Sequence, residues 1–327
     1  MERVRESLAS TPMGPGTLVR VVEITGIGVR EGTDGAVILP GESTPRGSVL
    51  GGVIDHLLVT EAAETAGRRT TLEVPVSDPD AIAAGLLCGG TATLLLSPLT
   101  DLPDTTPALW ADAEPLVLVA EADGSGGDLA VSTGSVAGSL WNDTSTDTAV
   151  RRARQILRSG LSGAEIDEIE GRRVVFSAAV PTTRAMIVGE GPMAEAFARQ
   201  GELMGWDVSF VADLATAEEF LASATPADAV LMLSHDPDLD VPVLAAATRS
   251  AVGYIGAMGA RHTQARRARQ LEELGHTDRS RIHGPLGLDL GSRTPAETAV
   301  AMAAEFLAVR RGRPPRSLST HDGPIHA

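Results

Sequence analysis

The stretch from Ala185 to Asp213, AMIVGEGPMAEAFARQGELMGWDVSFVAD, limits what this chain can fold into more than any other. Residues 185–188 form an apolar run too short for a helix and suited to a buried strand. Gly189, Gly191 and Ala194 follow at G-x-G-x-x-A spacing, and an Ala-rich segment of helical periodicity continues to about Met204. Gly205 stops that helix, and residues 208–211 make a second apolar run ending at Asp213. Strand, glycine turn, helix, strand and terminal acid are the parts of a dinucleotide-type βαβ unit. Gly189 permits a tight turn, and Gly191 lets backbone approach a pyrophosphate seated on a helix N-terminus. Ala194, in the third glycine's place, keeps helix and sheet close. Asp213 stands about twenty residues on, where an acid can bond a ribose 2′-hydroxyl and repel a 2′-phosphate.

Composition narrows the chemistry. A chain of 327 residues is long enough for two or three domains with buried cores. Its net charge of −16 argues against nucleic acid as a partner, because such binding needs a basic face. All 27 basic residues are Arg, which excludes lysine Schiff-base chemistry and a P-loop lysine. A single Cys88 rules out an intramolecular disulfide and a multi-thiolate metal site within one chain, and the 7 His lack metal-ligand spacing. No metal site is therefore expected. No apolar stretch is long enough to span a bilayer, and the charged N-terminus does not resemble a secretory signal. A cytoplasmic protein without membrane contact is the expectation.

Along the chain, the pattern predicts an N-terminal mixed α/β region over residues 1–102 and a middle α/β segment with linker over 103–180. A C-terminal Rossmann domain with a parallel sheet is expected over 181–312, and a flexible tail over 313–327. In the first segment, strands over 17–24, 36–39 and 91–96 surround a small-residue loop at 47–52 and a helix from about Val53. The middle segment repeats this order, and GSVAG at 134–138 echoes GSVLG at 47–51, which points to an internal duplication. Beyond Asp213, helices are expected over 217–223, 242–249 and 263–274. Thr294, Pro295 and Glu297 form a capping arrangement for a last helix ending near Arg311.

Several stretches resemble the XdhC/CoxI family, maturation factors for molybdenum hydroxylases. They are VGEGPMAEA at 188–196, LMLSHDPDLD at 231–240, YIGAMGAR at 254–261 and PLGLDLGSRTPAETAVAMAAEFLAVRRGR at 285–313. GSVLGGVID at 47–55 and GLLCGGTATLLLSPL at 85–99 resemble that family's first domain. The resemblance implies binding of the molybdenum–pterin cofactor, installation of its terminal sulfur, and delivery to a hydroxylase. It also implies a cysteine desulfurase as partner and a homodimer. The pterin site would lie near Gly51, Gly52, Cys88 and Gly89, with His235, Gly256, Gly259 and Asp289 contributed by the Rossmann domain. Two positions depart from the family pattern: Val53 stands where a cysteine is usual and Pro192 where a histidine is usual. The possible remnant of the family's first-strand turn is Arg30, within the glycine run Gly26, Gly28, Gly32 and Gly35.

The residues themselves leave two functions open: a cofactor carrier, or an NAD(H)- or NADP(H)-dependent oxidoreductase acting on a small molecule. His235 follows a buried strand at the edge where open α/β sheets bind ligands, and can act as a general acid or merely end a turn. Asp289, between Gly287 and Gly291, is the other candidate acid, or a residue bonding its own loop. Arg261 can fork onto a phosphate or carboxylate. The run Arg266, Arg267 and Arg269 reads as a solvated helix face.

Overall fold

The computed structural model describes residues 14–27, 35–65, 67–86, 88–112, 114–124 and 127–320. The chain divides into two compact units, with the boundary after Pro181. The expected Gly28, Gly32 and Arg30 features lie outside the described residues.

The first unit is built twice from one plan. β1 (Thr17–Thr25), β2 (Gly35–Ile38), β3 (Arg46–Ser48), α1 (Asp55–Thr65), β4 (Thr70–Val76), α2 (Asp78–Ala83) and β5 (Gly90–Pro98) make an antiparallel sheet of order β3-β2-β1-β5-β4. After a short α3 (Thr106–Ala111) come β6 (Leu116–Glu121), β7 (Asp128–Ser132), β8 (Val136–Gly138), α4 (Asp143–Ser159), β9 (Gly163–Ile169) and β10 (Arg172–Ala179), ordered β8-β7-β6-β10-β9. The helix follows the third strand in both copies, so the duplication read from the sequence holds at the level of topology. Its sequence clue does not. Gly47 pairs with the core residue Ala36, whereas Gly134 lies ahead of β8, where Val136 and Gly138 face the core residues Val131 and Leu129. The two GSV motifs therefore occupy different places in the plan.

Alternation along the strands decides the layers. Val19, Val21, Ala36, Leu94 and Leu96 bury against Leu58 of α1, and Val117, Val119, Leu129 and Phe176 against Ala149, Ala153 and Leu157 of α4. The opposite faces meet each other: Leu18 and Val37 pack with Leu116, Leu118 and Ala130, and Val22 and Leu95 with Ala120 and Val175. A register shift between Val21 and Glu23 lets Ile24 return to the α1 face despite its even number. The layer between the two sheets also holds Arg20, fully buried, whose Nη2 donates to the Ser97 hydroxyl at 3.1 Å.

The second unit is an all-parallel sheet of β11 (Arg184–Val188), β12 (Asp207–Val211), β13 (Ala229–Met232), β14 (Tyr254–Ala257) and β15 (Ile282–His283), ordered β12-β11-β13-β14-β15. α5 (Pro192–Leu203) and α9 (Pro295–Arg310) cover one face, while α6 (Leu214–Ala222), α7 (Pro237–Arg249) and α8 (Arg261–Glu273) cover the other. Burial on both faces explains why β11, β13 and β14 read as apolar runs, whereas the edge strand β12 is largely exposed. The scarce aromatics concentrate on the α5–α9 face, where Trp206 meets Phe306 edge-on at 4.6 Å and Tyr254 meets Phe306 at 5.1 Å.

The capping arrangement at α9 forms as expected: Thr294 Oγ1 accepts from Glu297 N–H at 3.2 Å, and Glu297 accepts from Thr294 N–H at 3.0 Å. α7 departs from expectation by starting at Pro237 instead of Pro242. Asp236 caps it by accepting from Asp238 N–H at 3.0 Å, Pro237 fits the first helical position, and Pro242 is carried inside the helix. Among the described residues no helix is long and apolar enough to cross a membrane.

Candidate functional site

In the parallel sheet the chain runs from β11 out to β12, then crosses back to β13 on the other side of β11. Such a reversal opens a crevice at the carboxyl ends of the strands, here between β11 and β13. Gly189 leaves β11 with φ +112°, and a Cβ placed there would stand 2.6 Å from Ser234 N. The glycine turn and the end of β13 therefore touch, and they form the two lips of the crevice. Gly191, φ +101°, precedes α5 without a side-chain cap, and a Cβ on it would meet nothing within 4 Å. Ala194 is fully buried against the sheet, which is the packing its motif position requires.

Other residues around this crevice modify the nucleotide reading. Glu190 sets an exposed carboxylate between the two glycines, and Pro192 removes one N–H from the start of α5. Both features work against a bound pyrophosphate. Asp213 is exposed and caps α6, accepting from Thr216 N–H at 2.9 Å and from its hydroxyl at 2.8 Å. Those hydrogen bonds, the backbone one first, hold its carboxyl below the usual carboxylate range.

His235 is exposed directly after Ser234, whose hydroxyl accepts from Asp236 N–H at 2.9 Å. Gly256 is buried within β14, where a Cβ would crowd Leu286 at 2.6 Å and Tyr254 at 2.9 Å; its part is packing. Gly259, φ +127°, and Arg261, exposed at the start of α8, lie past the end of β14. Asp289 is exposed on the loop after Leu286. That loop is tied down by Glu305 of α9, which accepts from Gly287 N–H at 2.7 Å and from the Tyr254 hydroxyl at 2.9 Å. Burial first, and the Glu305 charge next, push the Tyr254 hydroxyl well above its usual range. His283 stacks on the Tyr254 ring at 4.8 Å.

The expectation of a solvated Arg266–Arg267–Arg269 face fails at its middle member. Arg267 is 3% exposed and paired with Asp240 of α7, itself 1% exposed. Its guanidinium also donates to the carbonyls of Met258 at 2.5 Å and Ser234 at 3.2 Å. Helical phase could have revealed it, because Arg267 lies one turn before the core residue Leu271 and Asp240 one turn before Leu244. Sequence reasoning missed Glu305 and Gln264 altogether, and Asp240 and Arg267 are buried where a solvated place was the simplest reading.

In the first unit the two glycine loops named by the family resemblance each have their own contacts. Leu50, Gly51 and Gly52 all have positive φ, and Gly51 presses so close to the end of α2 that a Cβ would stand 2.8 Å from the Ala84 carbonyl. Cys88 is exposed, with Sγ 3.0 Å from the Gly26 carbonyl. Gly89 N–H donates to Asp78 at 2.7 Å. Asp55 accepts weakly from Val49 N–H at 3.5 Å, and partial burial raises its carboxyl above the ordinary value. Among the described residues no group of His, Cys, Asp and Glu forms a metal site.

Residues 185–306 match the XdhC Rossmann domain family. The molybdenum cofactor insertion chaperone PaoD of Escherichia coli (strain K12) is 33% identical over 132 residues, covering 40% of this chain and 41% of that protein. The uncharacterized protein YqeB of the same organism is 27% identical over 154 residues, covering 40% of this chain and 28% of YqeB. The matches thus span less than half the length of these relatives. A crystal structure of a xanthine dehydrogenase from Bacillus halodurans aligns over 98% of both chains with a TM-score of 0.57 at 18% identity, which shows a common fold. The four C-terminal motifs and these similarities agree: over residues 185–306 this chain resembles the Rossmann domain of the XdhC family.

Proposed function

We propose that this protein is an XdhC-like chaperone that binds the molybdenum–pterin cofactor as cargo and inserts it into a molybdenum hydroxylase. The observation that carries this reading is the 33% identity over 132 residues to a molybdenum cofactor insertion chaperone. The two regions described above fit such a cargo. Cys88 offers one exposed soft donor of the kind molybdenum or its sulfur favours. The uncrowded Gly191 leaves backbone open at the switch-point crevice. A cysteine desulfurase to supply sulfur, and a homodimer as the working form, complete the proposal. The nicotinamide alternative is weakened by Glu190, by Pro192 and by the cap that occupies Asp213.

Native mass spectrometry of the freshly purified protein tests the proposal by reading bound cofactor and oligomer together. Molybdenum and pterin are expected in the wild type, and Cys88→Ser is expected to lose most of both while retaining its melting temperature. A metal-free preparation that bound NADH tightly and transferred hydride would sink the reading.

A further inference from the structure

Two side chains of α8 reach the carboxyl ends of β13 and β14. Arg267 donates to the carbonyls of Ser234 and Met258, at 3.2 and 2.5 Å, and its Nε and Nη2 both reach Asp240 Oδ2, the Nε at 3.2 Å. Gln264, a turn earlier, donates through Nε2 to the carbonyls of Ala257 at 2.8 Å and Gly259 at 3.1 Å. Consecutive carbonyls at the ends of these strands are thus claimed from one helix. A trans peptide is planar, with C=O and the following N–H pointing opposite ways. Drawing the Ser234, Met258 and Gly259 carbonyls toward α8 therefore turns the N–H groups of His235, Gly259 and Ala260 away from it.

We infer that Arg267, oriented by Asp240 and assisted by Gln264, is a positioning residue that sets which peptide edges the β13 and β14 loops present at the carboxyl edge of the sheet, where the β13 loop borders the switch-point crevice. A buried ion pair that served only stability could be exchanged for apolar side chains of similar volume at little loss. This one engages both flanking loops through main-chain carbonyls, which no apolar pair can reproduce. The inference about loop geometry is independent of cargo, and its binding consequence rests on the carrier reading.

Hydrogen exchange on the full chain separates the two roles, using Arg267→Lys and the double variant Asp240→Leu/Arg267→Met. Amides of residues 234–236 and 258–260 are expected to exchange about tenfold faster or more in both variants, with β11 unchanged. The double variant is expected to recover the wild-type melting temperature while its loop amides stay fast and its copurifying molybdenum falls about tenfold. Recovery of slow loop exchange together with the melting temperature would overturn the inference. If the double variant does not fold, slow loop exchange in Arg267→Lys overturns it equally. A wild-type protein that holds no molybdenum refutes the carrier reading, and the exchange result still decides the role of Arg267.

Discussion

At Gly189 the backbone conformation and the neighbouring chain both exclude a side chain: φ is +112°, and Ser234 N lies 2.6 Å from a Cβ position. Gly189→Ala is expected to lower the free energy of unfolding by about 2–3 kcal/mol, read from urea melts. Asp213 gives a titration test. Its folded-state value is depressed by the Thr216 hydrogen bonds, so its stabilising effect is fully present above its unfolded value of about 4 and lost as pH falls through the lower folded value. Thr216→Val removes the hydroxyl donor and should move the Asp213 midpoint up toward the ordinary value, measurable on the carboxyl carbon by NMR. These two residues also mark how far sequence reading reached. Gly189 was legible because only glycine tolerates that turn. Asp213 was legible as an acid at a strand end, but its capping of α6 depended on Thr216, which the motif does not include.

Helices show the same division. The last helix was readable from Thr294, Pro295 and Glu297 because capping is local chemistry within one turn. α8 was misread at Arg267 because its Arg-rich composition suggested solvent, and the acid that draws Arg267 inward is Asp240, 27 positions away on α7. α9 acts at a distance too. Glu305→Leu deprives Gly287 N–H and the Tyr254 hydroxyl of their acceptor. A loss of about 1–3 kcal/mol is expected in denaturant melts, with faster hydrogen exchange confined to the loop after Pro285. An unchanged exchange pattern there would mean that the loop is held by other contacts.

At the scale of the whole molecule, the succession of strands and helices along the chain is legible as apolar runs, and so is the twofold plan of the first unit, whereas the order of strands within each sheet is not. Nor is the pairing register, because GSVLG and GSVAG match in letters without matching in position. The second unit has its own two-sided core, so residues 182–320 expressed alone are expected to unfold cooperatively. Trp206 is the lone tryptophan of that piece and packs on Phe306, so its fluorescence reports the transition directly. A gradual, non-cooperative change would show that the piece needs the rest of the chain.

The order β3-β2-β1-β5-β4, repeated as β8-β7-β6-β10-β9, bears on synthesis as well as on shape. In each copy the strand made last lies between the strand made first and the one made fourth. A nascent chain leaving the ribosome therefore carries β1 and β4 with open edges until β5 emerges, and the same interval recurs for β6 and β9 until β10 appears. Each half of the first unit closes in a single late step, when its final strand slides into the middle of a waiting sheet. Chains arrested inside Gly90–Pro98 or Arg172–Ala179 would expose two unpaired edges at once, and quality-control factors would meet them there.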